Sequence, residues 1–392
     1  MRLSPKIAEE VRNFLEGREE QMLELLKDLV RKESPSGDKE ALQEIVELLQ
    51  KEFQKLNFWT FRSKPEHSGG FLYARPHVRN KNAPVQLILG HCDTVWELNT
   101  LKKMPLQEEK EVIKGPGIYD MKAGLVQMIF CLKALKNISL SPEVIPLFLI
   151  NTDEEVGSKE STRAIARLAK IADRAFVLEP PLGLEGKLKT ARKGVGRFTV
   201  KVQGKASHAG LDPEKGVNAI VELSQQVQKL YAMNDPEKGI TVNVGMISGG
   251  VSPNVVAPES SAVIDVRVLN PVDAEYITQK IRDLEPFDPD VKLVIEGEIG
   301  RAPMEKNQRN QELWERAKKG GDLLDLELNE ATAGGGSDGN TTSLYTATLD
   351  GLGTTGDGAH ALHEYIIKEK LLERTALLVI LLLQKPLTKV NK

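Results

Sequence analysis

The sequence predicts an α/β fold in which a mostly parallel sheet is covered by helices on both faces and a smaller α+β domain is inserted. Over residues 85–179, short continuous apolar runs alternate with helical segments, which is typical of strands that are buried on both sides. After residue 190 the strands instead alternate apolar with polar residues, which indicates a second sheet with one wet face.

Length and charge narrow the class of protein. A chain of 392 residues is too long for one compact core, so two domains are expected. The net charge of −3 and the 28% of charged residues are ordinary for a soluble globular protein. The sequence shows neither a basic patch for nucleic acid nor a polybasic segment for a membrane, so neither partner is expected.

The chain ends and the cysteines predict a cytoplasmic protein. Residues 1–6 turn polar at once and lack the apolar core of a signal peptide. The apolar block at residues 377–383 is far shorter than the roughly 20 residues that cross a bilayer, so it predicts a buried C-terminal helix. Cys92 and Cys131 are too few for a disulfide framework and lie in apolar surroundings, which indicates reduced core thiols.

The first domain is predicted to open with helices and to continue with alternating strands and helices. Apolar residues recur at helical spacing over residues 5–56, with a break at residues 34–38. The later strands are expected at 85–90, 147–151 and 175–179, and the later helices at 121–136, 161–170 and 311–318. This alternation indicates parallel strands.

Residues 191–300 are predicted to form the inserted domain, which leaves residues 1–190 and 301–392 for the first domain. Its strands are expected at 198–202, 240–247, 262–268 and 291–295, and its helices at 217–231 and 273–284. The order β-α-β-β-α-β is that of the ferredoxin-like split unit, which can close on itself.

Acidic residues follow the end of one predicted strand. The apolar run stops at Asn151 and leads into Asp153, Glu154 and Glu155. Ligand sites of open α/β sheets lie at such ends, and adjacent glutamates there repel each other unless a cation lies between them or one is protonated. A metal centre resolves the repulsion if one glutamate is a ligand and its neighbour handles a proton. A solvated acidic turn at a helix start is the alternative.

Four more residues extend this group. His91 and Asp93 follow another strand and share a face, so Asp93 could hold the second ring N–H of a metal-binding His91. Asp120 is fixed by neighbouring glycines, and Glu179 closes a buried strand where an unpaired carboxylate is costly. The alternatives are a histidine satisfied by hydrogen bonds and, for Asp120, a plain N-cap.

A second histidine comes from a short segment that holds both His360 and His363. The sequence leaves open which of them is a ligand, and a surface pair is the alternative. Imidazole with carboxylate suits Zn²⁺, with Mn²⁺ or Co²⁺ as alternatives. Two histidines cannot saturate two metals, so a carboxylate would have to bridge a pair about 3.5–4 Å apart.

Six motifs occur in order along the chain: His91-Cys-Asp-Thr-Val, Gly115-Pro-Gly-Ile-Tyr-Asp-Met-Lys-Ala-Gly, Asn151-Thr-Asp-Glu-Glu-Val-Gly-Ser, Leu178-Glu-Pro, Gly204-Lys-Ala-Ser-His-Ala-Gly and Gly334-Gly-Gly-Ser-Asp. Together they resemble the co-catalytic zinc peptidase family. That family includes glutamate carboxypeptidase, acetylornithine deacetylase, succinyl-diaminopimelate desuccinylase and the aminotripeptidases. The wording of the second and third motifs is most similar to bacterial glutamate carboxypeptidase.

The resemblance implies two Zn²⁺ per subunit and a ligand set for them. The implied ligands, with Asp120 as the bridge, are His91 and Glu179 for one metal and Glu155 and His363 for the other. Asp93 would orient His91, and Glu154 would be the general base. The peptide bond after Asp120 would be cis.

The inserted domain resembles the dimerisation lid of the family. Its His208 would reach the partner subunit's site to stabilise the oxyanion. Asn254, Arg267 and the backbone around Gly335 would hold substrate, and an ion pair at the strand edge is the alternative for Arg267. No role is assigned to Thr341 and Thr342.

The predicted activity is hydrolysis of an amide bond next to a free carboxylate, by a homodimeric metallopeptidase of the glutamate carboxypeptidase type that acts on a small peptide. A deacylase of N-acyl amino acids is the first alternative. A non-catalytic metal-binding protein is the second, and Glu154 argues against it because a binding protein needs no base.

Overall fold

The computed structural model describes residues 3–64 and 66–387, and the chain divides into two compact units. The first unit comprises Met1–Thr190, Lys306–Thr332 and Ser337–Lys392, as far as these ranges are described. The second comprises Ala191–Glu305 and Ala333–Gly336, so it takes in part of the glycine-rich loop.

The helices and strands of the described residues are as follows. The helices are α1 (Pro5–Glu16), α2 (Glu19–Arg31), α3 (Lys39–Lys55), α4 (Ala123–Asn137), α5 (Thr162–Ala169), α6 (Ala219–Tyr231), α7 (Pro271–Arg282), α8 (Gln308–Asp322), α9 (Asp338–Ser343) and α10 (Lys368–Leu382). The strands are β1 (Phe58–Arg62), β2 (Phe71–Pro76), β3 (Val85–His91), β4 (Gln107–Glu108), β5 (Val112–Lys114), β6 (Ile145–Asn151), β7 (Ala172–Val177), β8 (Leu188–Arg192), β9 (Gly194–Gln203), β10 (Thr241–Gly249), β11 (Glu259–Val268), β12 (Lys292–Arg301), β13 (Glu330–Ala333), β14 (Ala347–Leu349), β15 (Gly356–Asp357) and β16 (Tyr365–Ile367).

The first unit is built on a six-stranded sheet with the order β1-β2-β6-β3-β7-β14. Strands β6, β3, β7 and β14 are parallel, whereas β1 and β2 add to one edge in antiparallel fashion. The prediction of a mostly parallel sheet is confirmed. The register pairs His91 with Asn151 and Leu89 with Val177, so the carboxyl ends of three strands meet at one edge.

Apolar cores lie on both faces of this sheet. In β3, Ile88 faces the larger core, which includes residues of α1, α2, α3, α4, α8 and α10. Leu87 and Leu89 face a smaller core that they form with Ile165 of α5. Successive side chains of a strand point to opposite faces, so a strand covered on both sides is apolar at every position.

The helices differ from the prediction at two points. The first predicted helical stretch is divided into α1 and α2: α1 ends at Gly17, whose N–H bonds to the carbonyl of Asn13, and the N–H of Arg18 bonds to the carbonyl of Leu15. Helix α9 follows the glycine-rich loop and was not predicted. The C-terminal apolar block lies in α10, where residues 376–382 are buried. Among the described residues, no helix is both long and apolar enough to cross a membrane. Cys92 and Cys131 are free and buried.

The second unit contains a four-stranded antiparallel sheet with the order β10-β11-β9-β12. The chain order β9-α6-β10-β11-α7-β12 confirms the ferredoxin-like split unit. Alternate residues such as Phe198, Val200 and Ile264 pack into the core with α6 and α7, which explains the alternating sequence pattern.

A small sheet of the first unit completes the frame of the site. Its order is β15-β16-β5-β4. Strand β16 pairs with β5 through Tyr365 and Lys114. The loop between β15 and β16 therefore lies beside the segment that follows β5, and these two segments carry His360 and Asp120.

Candidate metal centre

Two groups of metal-ligating side chains meet at the carboxyl edge of the six-stranded sheet. The first is His91, Asp120 and Glu179, and the second is Asp120, Glu155 and His360. Within each group one ligand atom from each residue lies within 4.8 Å of the others. Asp120 belongs to both groups, as a bridging ligand would.

The orientation of His91 suits a metal ligand. Its Nε2 lies 3.1 Å from Asp120 Oδ1 and 3.5 Å from Glu179 Oε1. Its Nδ1 lies 3.0 Å from the carbonyl oxygen of Asp93 and 3.4 Å from Asp93 Oδ1. The oxygens of Asp93 accept the Nδ1 proton, so Nε2 faces the two carboxylates and is the nitrogen that would bind a metal.

Asp93 also holds the turn that carries the adjacent glutamates. Its carboxylate accepts the backbone N–H of Glu154 at 3.2 Å and that of Glu155 at 3.1 Å. Ser36, which lies in the predicted break between helices, donates its hydroxyl to the same carboxylate at 2.7 Å. A single buried aspartate therefore fixes both the His91 ring and the position of Glu154, which is half-buried.

The structure places His360, rather than His363 as the resemblance implied, in the second ligand group. His360 Nε2 lies 3.2 Å from Glu155 Oε2 and 3.6 Å from Asp120 Oδ2, whereas His363 is exposed and belongs to neither group. The reason is the shape of the loop, in which His360 adopts a left-handed backbone with φ 61°. That conformation is uncommon for a residue other than glycine and is a frequent mark of functional sites.

A buried polar network supports the turn from behind. Asn151 donates its amide to Asp338 Oδ2 at 2.8 Å, and Ser158 donates its hydroxyl to Asp338 Oδ1 at 2.5 Å. Asp153 accepts the backbone N–H of Glu160 and Ser161. Asp338, from the glycine-rich motif at residues 334–338, therefore stabilises the turn through hydrogen bonds on both sides of Glu154.

The electrostatics of the two groups favour bound cations. Burial alone would raise the pKa of Asp120, but hydrogen bonds from His360 and His91 outweigh burial and hold that pKa well below its usual range. Hydrogen bonds to Asp120 and Glu155 raise the pKa of His360 to about 10. Burial raises the pKa of Glu155. The negative charge of the carboxylates therefore keeps the histidines protonated when no other cation is bound there.

The donor set fits a pair of divalent metals. Glu155 Oε1 is buried and has no hydrogen-bond partner among the described residues, although a buried carboxylate oxygen is costly to leave unpaired. Imidazole and carboxylate are ligands that Zn²⁺, Mn²⁺ and Co²⁺ accept. The peptide bond between Asp120 and Met121 is cis, as the resemblance implied.

Glu364 was not found by sequence reasoning, although it follows His363 directly. Its buried carboxylate accepts the backbone N–H groups of Gly117, Tyr119 and Asp120 and the indole N–H of Trp96. Burial raises the pKa of Glu364 to about 7. In the sequence, Glu364 is marked only by its position next to the two histidines, which does not reveal the backbone groups that it binds.

In the second unit, His208 and Asn254 lie on neighbouring loops. The carbonyl of Asn254 accepts the N–H of Ala209 at 2.9 Å. The backbones of His208 and Val255 form an isolated antiparallel β-bridge. His208 is exposed, and its Nδ1 accepts the N–H groups of Gly210 and Leu211 at 3.1 Å. The ring proton therefore lies on Nε2, which leaves Nε2–H as a donor directed away from the loop.

Arg267 is half-buried and forms a two-pronged pair with Asp265. Its Nε lies 2.7 Å from Asp265 Oδ1, and its Nη2 lies 3.0 Å from Oδ2. Its Nη1 lies 3.5 Å from the carbonyl of Gly334. The carbonyl of Gly335 accepts from Arg192 at 3.1 Å, so the second unit groups these glycines with two arginines.

Comparisons with known proteins agree with the fold. The model of the peptidase dimerisation domain matches residues 190–284. Carboxypeptidase G2 of Pseudomonas sp. strain RS-16 is 30% identical over 356 residues, which cover 87% of this chain and 83% of that protein. An acetylornithine deacetylase of Aliivibrio fischeri is 29% identical over 211 residues, 50% of this chain and 54% of that protein.

A solved structure shows the same fold over nearly the whole chain. The aminopeptidase PepT of Bacillus cereus superposes with a TM-score of 0.80 at 22% identity, over 93% of this chain and 98% of that one. The fold and its relatives define a hydrolytic enzyme of the metallopeptidase and amidohydrolase class. The chain belongs to the M20 peptidase family.

Proposed function

We propose that the protein is a two-metal hydrolase that cleaves an amide bond next to a free carboxylate, in the manner of a glutamate carboxypeptidase. The observation that carries the proposal is that Asp120 is shared by two ligand groups beside Glu154. His91 and Glu179 would hold one metal with Asp120, and Glu155 and His360 the other. Two divalent metals there would supply Lewis acidity and make a water nucleophilic at neutral pH.

Glu154 is the residue proposed to move the proton. It takes a proton from the attacking water as the water oxygen bonds to the amide carbon. It then gives that proton to the nitrogen as the carbon–nitrogen bond breaks, so the products are a carboxylic acid and an amine. Asp93 contributes by fixing the backbone of Glu154 and the ring of His91.

The second unit is proposed to recognise the substrate. Nε2–H of His208 would donate to the oxyanion that develops on the carbonyl oxygen. Arg267 would grip the terminal carboxylate, a geometry suited to its planar guanidinium, in exchange for its pair with Asp265. Asn254 and the backbone at Gly335 would supply further polar contacts. The carboxypeptidase relative, which covers most of this chain, supports this substrate class.

Deacylation of N-acyl amino acids is the second candidate. It is favoured by the acetylornithine deacetylase relative, which matches half of this chain. Both reactions break an amide bond with the same catalytic groups, and their substrates differ in the acyl group and in the amino acid that is released.

Metal content and a substrate panel test the proposal together. Elemental analysis of the Zn²⁺-loaded protein should give two metals per chain. A dipeptide with C-terminal glutamate, an N-acyl-glutamate and N-acetylornithine should be assayed side by side, with and without a chelator. Hydrolysis that the chelator abolishes and added Zn²⁺ restores is expected, fastest for the glutamate compounds. A two-metal protein that hydrolyses none of them would contradict the proposed function.

We also infer that the protein is a homodimer formed through the second unit. Strand β10 is an edge strand of its sheet, and it carries exposed Met246 and Ile247. Ile220, at the start of α6, is also exposed and lies beside Gly250, which follows β10. An apolar face on an unpaired strand edge is typical of a surface that a second chain covers.

Mixed dimers test whether His208 acts in the partner's site. His208→Ala and Glu154→Gln homodimers should both be nearly inactive. After subunit exchange, half of the dimers combine the two variants and each has one complete site, so roughly a quarter of wild-type activity should return. Each variant subjected to exchange alone is the control. No recovery, with exchange confirmed by mass spectrometry, would assign His208 to its own subunit's site.

A further inference from the structure

The carboxylate of Glu364 accepts four hydrogen bonds close to the proposed metals. Its Oε1 accepts the N–H of Tyr119 at 2.8 Å and that of Asp120 at 3.1 Å. Its Oε2 accepts the N–H of Gly117 at 2.8 Å and the indole N–H of Trp96 at 2.9 Å. Both oxygens are thus used twice, and the residue is fully buried.

The fold brings Glu364 to this place by strand pairing. Tyr365 of β16 pairs with Lys114 of β5, and the carbonyl of Glu364 accepts the N–H of Gly115 at 3.2 Å. The chain then turns at Gly117, which has a left-handed backbone with φ 69°. A side chain at that glycine would meet Thr94, so the turn passes close to the segment after His91.

Three segments that carry proposed ligands therefore converge on one carboxylate. The Gly117–Asp120 turn bears the shared aspartate, and the β15–β16 loop bears His360 four residues before Glu364. Trp96 follows His91 by five residues and joins the third segment to the same carboxylate. A shift of Glu364 would move Asp120 relative to both histidines.

We propose that Glu364 is a positioning residue that sets the distance of Asp120 from both metals, with Trp96 linking the His91 segment to it. This role rests on the proposed two-metal function. Glu364 does not contact substrate; it acts through the backbone of Asp120. Partners of ligands commonly change metal affinity or activity by about 10–100-fold when they are altered.

The test compares Glu364→Gln with Glu369→Gln, an exposed glutamate on α10. Glutamine keeps the size of the side chain but has one acceptor oxygen, so its NH₂ group would face two N–H donors. The Co²⁺-loaded proteins should be compared by visible absorption and by competition with a chelator. Glu364→Gln should bind Co²⁺ about 10–100-fold more weakly, with an altered spectrum. Glu369→Gln should match the wild type.

Trp96→Phe provides a second, milder variant, because it removes one N–H donor and keeps an aromatic ring. It should change affinity and spectrum in the same direction, by several-fold. A merely structural role would lower the melting temperature but leave the Co²⁺ spectrum and affinity unchanged, and that result in both variants would overturn the inference. A wild-type protein that binds fewer than two Co²⁺ would instead overturn the proposed function and this role with it.

Discussion

The two edges of the central sheet bury charge in different ways. At the carboxyl edge, four carboxylates and two histidines crowd together, and Glu155 Oε1 is left without a hydrogen-bond partner. At the amino edge, Arg174 is fully buried, yet its guanidinium donates to Gln86 Oε1 at 2.9 Å and to the carbonyls of Lys385 and Gln384 at 2.7 and 2.8 Å.

The difference separates a functional charge cluster from a structural one. Burial lowers the pKa of Arg174 to about 10, which still leaves it charged at neutral pH, and the carbonyls at the end of α10 stabilise that charge. At the carboxyl edge, burial would lower the pKa of His91, but hydrogen bonds to Asp120 and Asp93 outweigh burial and raise it, and hydrogen bonds to Asp120 and Glu155 raise the pKa of His360. A buried group of carboxylates whose only positive charge comes from protonated histidines is suited to bind a metal cation instead. Arg174, whose charge is satisfied by carbonyl oxygens, stabilises the fold.

The largest effect should follow from Glu154→Gln at the carboxyl edge. Removal of a general base typically lowers the rate by about 10²–10⁴-fold. We expect kcat to fall by that factor, while metal content and the denaturant midpoint remain those of the wild type. Glu185→Gln, on an exposed turn of the same unit, is the matched control. An active Glu154→Gln variant would refute the assignment of the base.

His360→Ala and His363→Ala sharpen the description of the same edge. His360 lies in a ligand group and His363 does not, although they are only three positions apart in the sequence. His360→Ala should lose one metal equivalent and the stabilisation that this metal provides, which is about 4 kcal/mol at a thousandfold excess over Kd. His363→Ala should retain both. Calorimetry with and without Zn²⁺ measures this, and the reverse pattern would restore His363 as the ligand.

Many of the ligand residues at this edge could be predicted because they directly follow the ends of buried strands. Buried apolar runs stop at Asn151, and others lead into His91 and Glu179, so the parallel sheet brings their ends together. The choice between two neighbouring histidines depends on one left-handed residue, which leaves no trace in periodicity. The anchor Asp338 lies 187 residues from Asn151, and a pairing that distant is not visible in one sequence.

The amino edge should respond in the opposite way, with a smaller effect that falls on stability alone. Arg174→Met keeps an apolar stem but leaves the carbonyl of Gln384 without the Arg174 donor and that of Lys385 with only the donor from Arg316. A buried acceptor left without its donor costs about 1–3 kcal/mol, so the free energy of unfolding should fall by about that amount in urea titrations. The exposed Arg167→Met on α5 should change it little. Metal content and kcat per folded molecule should be those of the wild type. A drop in kcat without loss of stability would contradict the assignment of Arg174 to a purely structural role.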